Sequence, residues 1–267
     1  MIPKYPYIGY ETKCKQVPIT FPPQHQDIQP RLEYVMQPIP ISDNPAYKGS
    51  GKLQGKIAII TGGDSGIGRA VAIGFAKEGA HMAITYMPHE RPDAEATKQM
   101  VEAYGQSILL IEGDLRHPEF SMEVVRKTMD CFGKLDILIL NQGVQFPQQS
   151  ILDISNEQLY DTFETNIFPH FHMTKAGLPY MKKGGAIIST ASVTAYAGAP
   201  FLVDYFSTKG DIVFHKVIIL TISEKGNTSE CSCPWPNLDT TNCLKLFSRI
   251  CQNIWLRNAD EASRSAI

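Results

Sequence analysis

The sequence predicts an α/β fold in which a doubly wound parallel sheet lies between two layers of helices. From residue 56 onward, short apolar runs alternate with amphipathic segments, a pattern typical of βαβ units. A glycine-rich segment joins the first apolar run to the first amphipathic one. The 267 residues are 43% hydrophobic, so the chain is long and apolar enough to bury one large core.

The first 50 residues are expected to form an extended arm. They contain nine of the 18 prolines, and proline removes backbone donors and disfavours helix. The tyrosines and isoleucines of this segment would pack part of it against a neighbouring surface. The sequence therefore divides into an arm (residues 1–50), a main domain (51–230) and an atypical tail (231–267).

Five strands and four helices are predicted for the main domain. The strands are residues 56–61, 82–86, 108–112, 135–140 and 186–190. The helices between them are residues 66–78, 92–104, 118–131 and 156–181. Because crossovers between parallel strands are right-handed, the ligand crevice of such a sheet lies at the carboxyl ends of its strands.

The segment from Thr61 to Arg69 reads TGGDSGIGR and joins the first strand to the first helix. Its glycines allow the backbone to turn tightly and to approach a pyrophosphate, which the free N–H groups and positive dipole end of the helix attract. The alternative is an ordinary glycine-rich turn. The position within a βαβ unit favours the phosphate-binding interpretation.

Further polar residues follow other strands. Asp114-Leu115 comes after the third strand and Asn141-Gln142-Gly143 after the fourth. Each is by itself an ordinary loop, but as a set they fit a dinucleotide that lies across the strand ends.

Candidate catalytic residues follow the fifth strand. Ser192 stands at its end, and Tyr205 and Lys209 open the next helical segment. A tyrosine and a lysine at i and i+4 share one helix face, so the ammonium group is expected to lower the pKa of the phenol and allow proton transfer near neutral pH. The alternative is two surface neighbours, since this spacing is common by chance.

Together, these motifs resemble the short-chain dehydrogenase/reductase family over residues 53–209. The proline-rich arm with Tyr34-Val35-Met36 also looks like the bacterial stress-related, glucose/ribitol-dehydrogenase-like branch. The resemblance implies a Rossmann-type main domain with NAD or NADP as cofactor and a small-molecule alcohol or carbonyl compound, such as a sugar or polyol, as substrate. It also implies a homo-oligomer.

The resemblance assigns a role to each matching residue. Tyr205 would be the acid/base, Ser192 would hold the substrate oxygen, Lys209 would bind the nicotinamide ribose and tune Tyr205, and Asn166 would position a water in the proton relay. Asp114 would face the adenine. The cofactor-binding residues would be Gly62, Asp64, Ser65, Gly66, Ile67, Gly68, Tyr86, Asp114, Leu115, Asn141, Gly143, Tyr205 and Lys209.

The choice between NAD and NADP stays open. The second strand ends at Tyr86 without the acidic residue that would bind a ribose 2′-hydroxyl and repel a 2′-phosphate. His89 and Arg91 are close enough in sequence to approach such a phosphate. Asp64 and Glu90 lie in the same region and would oppose it.

Two segments depart from the family pattern. Residues 140–143 read Leu-Asn-Gln-Gly where the family usually has Asn-Asn-Ala-Gly. After Lys209, a helix is expected over residues 211–224, but the sixth-strand region (227–231) and the turn at 233–236 match poorly, so the last strand is expected to be lacking or altered. Apolar residues from Leu244 to Ile254 would form a helix that covers the sheet edge. The rival hypothesis is a catalytically inactive nucleotide-binding or scaffold protein.

Composition argues against other function classes. The formal net charge of −2 and a pI near 6.4 provide no attraction to nucleic acid or acidic membranes. No apolar stretch reaches the roughly 18 residues of a spanning helix, so we expect a cytoplasmic protein. His170 and His172 would point to different helix faces, and the tail cysteines lack paired CxxC spacing, so no metal site is expected.

Overall fold

The structure of the protein is a computed structural model, which describes residues 8–12, 16–20, 23–214 and 228–232. The arm begins with two antiparallel strands, β1 (Ile8–Thr12) and β2 (Gln16–Thr20). From residue 23 to residue 56 it contains no further strand or α-helix, apart from a single 3-10 turn at Glu33–Val35.

The main domain is built on six strands that all pair in parallel. They are β3 (Ile57–Thr61), β4 (His81–Tyr86), β5 (Ile108–Glu112), β6 (Leu135–Leu140), β7 (Met181–Thr190) and β8 (Thr228–Ser232). Their order in the sheet is β5-β4-β3-β6-β7-β8. The order reverses at β3 and β6, and an open α/β sheet forms its ligand crevice at such a point.

Helices cover both faces of the sheet. They are α1 (Gly66–Lys77), α2 (Arg91–Glu102), α3 (Pro118–Phe132), α4 (Asn156–Asn166), α5 (Phe168–Gly177), α6 (Thr194–Ala197) and α7 (Val203–Phe214). Among the described residues, none of these helices is long and apolar enough to cross a membrane.

Two apolar cores lie on opposite faces of the sheet. One contains residues of α1 and α2, and the other contains residues of α3 and α5. In β6, Ile137 and Ile139 belong to the first core, whereas Leu138 and Leu140 belong to the second. Successive side chains of a strand point to opposite faces, so a strand buried on both sides reads as a continuous apolar run.

The predicted fold class and order of elements are confirmed. All five predicted strands and four predicted helical regions are present, with bounds that shift by at most five residues. The largest shift is at β7, which begins at Met181 although the sequence predicts a start at residue 186. Gly184 and Gly185 lie in this stretch, and glycine weakens the strand signal.

The predicted single helix over residues 156–181 is wrong, because the structure has two helices there. α4 ends at Asn166 and α5 begins at Phe168. Pro169 stands in the first turn of α5. Its ring and its missing N–H prevent the hydrogen-bond pattern of α4 from continuing across this point.

A sixth strand is present where the sequence matches the family pattern poorly. β8 pairs with β7 over five residues, from Ala186 with Thr228 to Thr190 with Ser232. The helix expected over residues 211–224 overlaps the end of α7, which already begins at Val203. The remainder of that helix, the lacking or altered last strand and the tail helix fall outside the described residues.

Candidate active site

A cavity of about 450 Å³ opens at the carboxyl ends of the strands. Its walls come from the loops after β3, β4, β5 and β6, from the ends of β4 and β7, from α7 and from a short stretch of the arm. Twelve predicted site residues line it: Gly62, Asp64, Ser65, Gly66, Ile67, Tyr86, Asp114, Leu115, Asn141, Gly143, Tyr205 and Lys209. The other three, Gly68, Asn166 and Ser192, are buried and do not line the cavity.

The glycine loop turns from β3 into α1 at one end of the cavity. Gly62 and Gly66 have φ values of +59° and +51°, in the left-handed region that favours glycine. A Cβ atom on Gly68 would collide with the carbonyl group of Gly62, so α1 packs against the loop because residue 68 has no side chain. Ser65 makes no side-chain capping bond. Helix N-termini of this kind attract the phosphates of a nucleotide.

Asn141 directly follows β6 and hydrogen-bonds residues at the ends of β3 and β7, beneath the cavity. Its side-chain Nδ2 donates to the carbonyl oxygen of Gly62 at 3.1 Å, and its Oδ1 accepts from the hydroxyl of Thr190 at 3.1 Å. Its backbone N–H donates to the hydroxyl oxygen of Thr61 at 2.9 Å. The Thr61 hydroxyl in turn hydrogen-bonds the side chain of Gln142. Gln142 therefore supports the floor of the cavity at one of the two positions where the sequence departs from the family.

Five buried charged groups surround the start of α1. Glu33, Asp64, Arg69, Glu90 and Asp93 are each less than 5% exposed. Arg69 forms ion pairs with Glu33 and, at 3.1 Å, with Asp93. Asp64 has a buried Oδ2 atom without a hydrogen-bond partner among the described residues. Burial, followed by the nearby Glu90 charge, raises the pKa of Asp64 to about 7, so this carboxyl is partly protonated near neutral pH.

Asp114 lines the cavity, but its carboxylate is already engaged. Arg116 donates to both of its oxygens, at 3.1 and 2.9 Å from Nε, and Arg116 also pairs with Asp161 at 2.5 Å. Burial opposes ionisation of Asp114, yet the hydrogen bonds from Arg116 hold its pKa below the ordinary value. The group that faces the cavity here is an ionised, fixed carboxylate.

Tyr205 and Lys209 lie on α7 at the other end of the cavity, with Ser192 beside them. The Ser192 hydroxyl hydrogen-bonds the Tyr205 phenol, and Lys209 Nζ lies 5.7 Å from the centre of the Tyr205 ring. Lys209 Nζ also donates to the carbonyl oxygen of Thr190 at 3.0 Å. The i, i+4 spacing on α7 places Tyr205 and Lys209 on one helix face, and the segment after β7 brings Ser192 next to them.

The predicted lowering of the Tyr205 pKa is not found in this structure. Burial raises the pKa of the phenol above its ordinary value, and the hydrogen bond with Ser192 opposes this in part. The reason is that the phenol is partly buried at the end of the cavity beside α7, where the partial removal of water disfavours the phenolate. The phenol is therefore protonated near neutral pH.

Asn166 has a different set of contacts from the expected one. It is fully buried. Its Nδ2 donates to the Val144 carbonyl at 2.9 Å and to Thr208 Oγ1 at 3.2 Å, while its Oδ1 accepts from the Val144 N–H at 2.8 Å. The side chain holds the loop after β6 next to α7. Its amide is occupied by these bonds, and the expected role in positioning water stays a prediction.

Several cavity residues were missed by the sequence reasoning. Gln29, Pro30 and Arg31 of the arm line the cavity, as does Thr190. The arm residues belong to no motif, so no sequence signal pointed to them. Gln142 was named with Asn141 and Gly143 as part of the set that fits a dinucleotide, but its hydrogen bond with Thr61 depends on the fold and was not foreseen.

The residues present fit a nicotinamide dinucleotide. The glycine loop offers space and backbone donors at one end, and Tyr205 and Lys209 offer a proton donor and a cation at the other. β4 ends at Tyr86 and not at an acidic residue, but the Asp64 and Glu90 carboxylates line the cavity beside it, so these residues fit either NAD or NADP. Among the described residues, no group of three histidine, cysteine or acidic side chains is placed to hold a metal ion.

Residues 56–228 match the short chain dehydrogenase family. General stress protein 39 of Bacillus subtilis (strain 168) is 51% identical over 195 residues, which cover 73% of this chain and 68% of that protein. The glucose and ribitol dehydrogenase of Daucus carota is 41% identical over 212 residues, which cover 77% of this chain and 73% of that protein. The resemblance inferred from the motifs is confirmed by both relatives.

A solved structure has the same arrangement. A dehydrogenase/reductase from Sinorhizobium meliloti 1021 superposes with a TM-score of 0.65 at 27% sequence identity. The superposition covers 68% of this chain and 72% of that chain.

Proposed function

The chain belongs to the short chain dehydrogenase family, and we propose that it transfers a hydride between NAD or NADP and an alcohol or carbonyl group of a small molecule, with Tyr205 as acid/base. One observation carries this proposal. A single cavity joins the glycine loop to Tyr205 and Lys209, so a nucleotide held at the loop can extend to a proton donor at the far end.

The cofactor would be held along the strand ends. The pyrophosphate would lie at the glycine loop and the N-terminus of α1. The adenosine would lie between Asp64, Tyr86 and Leu115, beside the Asp114 carboxylate, and the nicotinamide ribose would be bound by Lys209. When bound, the nicotinamide ring supplies or accepts the hydride.

Tyr205 would hold the proton that balances the hydride. In the direction of carbonyl reduction, its phenol donates the proton to the carbonyl oxygen, and in alcohol oxidation the phenolate removes the hydroxyl proton. The raised pKa of Tyr205 favours the first direction near neutral pH. Alcohol oxidation is expected to accelerate as pH rises toward the pKa of the phenol, because only the phenolate accepts a proton.

Other residues would position these groups. Ser192 hydrogen-bonds the phenol and would share the substrate oxygen with it. Lys209 is oriented by the carbonyl of Thr190, which holds its charge close to the Tyr205 ring. Asn166 joins the Val144 backbone to Thr208 of α7, which would hold the loop wall of the cavity beside the helix that carries Tyr205.

The substrate class is a sugar, polyol or similar small alcohol or carbonyl compound. The support is the named activity of the Daucus carota relative, a glucose and ribitol dehydrogenase. Polar side chains in the cavity wall, among them Gln142 and Gln145, are also compatible with hydroxylated substrates.

The first test is thermal unfolding with and without saturating NAD or NADP. A ligand that binds the folded state must raise the apparent stability, so we expect a rise in Tm with at least one of the two. Turnover is then measured over a panel of sugars, polyols and aldehydes. No shift with either cofactor would contradict the proposal, and a shift without turnover would favour the inactive nucleotide-binding protein.

Tyr205→Phe separates catalysis from binding. The variant keeps the ring and loses the phenolic proton, so turnover should fall by about 100-fold or more, while the cofactor-dependent rise in Tm stays. Tyr180→Phe is the matched control, because Tyr180 is 48% exposed and does not line the cavity. Equal turnover in the two variants would show that Tyr205 is not the acid/base.

A further inference from the structure

Residues 29–31 of the arm, here called the strap, form part of the cavity wall. They lie outside residues 56–228, which match the family. The glycine loop and the ends of the strands therefore account for only part of the surface that a bound dinucleotide would meet in this chain.

The strap is bonded to loops that follow two different strands. On one side, Gln29 Nε2 donates to the carbonyl oxygen of Gln145, in the loop after β6, at 3.3 Å. On the other side, the carbonyl oxygen of Pro30 lies 3.3 Å from His89 Nε2, after β4. The strap thus spans the opening of the cavity.

Glu33 anchors the strap to the start of α1. It is 3% exposed, its N–H donates to Asp93 Oδ2 at 2.9 Å, and its Oε2 accepts from the N–H of Gly66 at 2.5 Å. It also forms a buried ion pair with Arg69. A carboxylate buried in this way is fixed, because breaking such a pair leaves an uncompensated charge.

A second clamp holds the arm just before Glu33. The Gln26 side chain donates to the Leu32 carbonyl at 2.8 Å and accepts from the Leu32 N–H at 2.9 Å. Arg31 therefore sits between fixed points on both sides along the chain. These contacts within the chain position the backbone of Arg31 at the edge of the cavity.

Arg31 carries a positive charge that forms no ion pair with another described residue. Its side chain is exposed and lines the cavity. The carboxylate nearest to it along the chain, Glu33, is already paired with Arg69. An arginine offers a planar set of N–H donors that matches a phosphate group.

We propose that the strap is a cofactor-binding element and that Arg31 binds a phosphate group of the dinucleotide. The inference rests on the proposed function. The bond from Pro30 to His89 places Arg31 near the end of β4, where the ribose that bears the 2′-phosphate of NADP lies in this type of fold. The strap thus favours NADP over NAD.

The test compares Arg31→Ala and Arg31→Lys with the wild-type full chain. Dissociation constants for NADP and NAD are measured by isothermal titration calorimetry at low and high salt. Arg126→Ala is the matched control, because Arg126 is exposed on α3, pairs with Asp130 and does not line the cavity. The Tm of each variant without ligand is measured as well.

We expect Arg31→Ala to weaken NADP binding at least about tenfold and NAD binding by less than about threefold. Arg31→Lys should lie between, since it keeps the charge and loses the planar donors. The loss of NADP affinity in Arg31→Ala should be smaller at high salt than at low salt. Without ligand, the Tm should match that of the wild type, because Arg31 has no ion pair to lose.

The other outcomes are also decisive. An equal loss for NADP and NAD would keep the strap in the cofactor site and assign Arg31 to the pyrophosphate that both share. Wild-type affinity for both cofactors in Arg31→Ala would overturn the inference and leave the proposed function intact. A wild-type protein that binds neither cofactor would overturn both.

Discussion

The end of the cavity beside α1 is held by a network of ion pairs, whereas the end beside α7 is held by hydrogen bonds. We call these the α1 end and the α7 end. At the α1 end, Arg69 joins the carboxylates of Glu33 and Asp93, and Asp64 and Glu90 lie close by. Buried charges are costly to leave unpaired.

The α7 end is built differently. Asn166 joins the backbone of Val144 to Thr208, and Ser192 hydrogen-bonds Tyr205. Because Asn166, Val144, Thr208 and Ser192 carry no charge here, these bonds are short-ranged and respond little to salt. The buried charges of Lys209 and Asp204 are also held by hydrogen bonds, to Thr190, Gln158 and Thr162. One cavity thus combines an end that is sensitive to pH with an end whose geometry is fixed by hydrogen bonds.

The largest expected effect comes from breaking the ion-pair network of the α1 end. Arg69→Met leaves Glu33 and Asp93 buried without their cation, so the free energy of unfolding should fall by about 3–5 kcal/mol. Chemical denaturation measures it, with Arg126→Met, an exposed i,i+4 partner of Asp130, as control. A loss below about 1 kcal/mol would show that the α1 end does not depend on its charges.

A smaller effect is expected at the α7 end. Asn166→Ala leaves the Val144 N–H and carbonyl groups buried without their partners, which should lower the free energy of unfolding by about 2–3 kcal/mol. The loss should be the same at low and high salt, in contrast to an exposed charged pair. Asn156→Ala, at an exposed position at the start of α4, is the control and should change little.

If the Asn166→Ala loss depended strongly on salt, the proposed difference between the two ends would be wrong. Turnover adds a second readout. A shift of the Val144 loop should reduce kcat while cofactor binding at the α1 end is retained.

The smallest expected effect concerns the pH dependence of the α1 end. Asp64 has a pKa of about 7 in the folded protein, against 3.8 ordinarily, so the folded state binds this proton more tightly than the unfolded state does. Its contribution to stability is full below about pH 4 and is lost as pH rises through 7. The amide side chain of the Asp64→Asn variant does not titrate, so this variant lacks that contribution at every pH.

The stability of Asp64→Asn relative to wild type should therefore increase between pH 5 and pH 7, by about 2 kcal/mol. Denaturation at several pH values measures the difference. Asp161→Asn, a half-exposed carboxylate paired with Arg116, is the control, and it should show no such increase. A constant difference for Asp64→Asn would mean that Asp64 is ionised throughout this range.

Much of the molecule was predictable because the signals are local. The parallel strands read as continuous apolar runs, and the bounds of β5 and β6 are the predicted ones. The glycine loop is recognisable in the sequence because its glycines are clustered between an apolar strand pattern and an amphipathic helix pattern. By contrast, the break between α4 and α5 was missed because the apolar periodicity continues across Pro169.

Local patterns in the sequence account for the individual strands, the glycine loop and the placement of Tyr205 and Lys209 on one helix face, since each depends on neighbours a few residues apart. Tertiary structure decided the rest. The ion pair of Glu33 with Arg69 joins positions 36 residues apart, and the strap reaches the cavity because it hydrogen-bonds the loops that follow β4 and β6. Burial is a property of the whole fold, and it is burial that raised the pKa of Tyr205 where local spacing predicted a decrease.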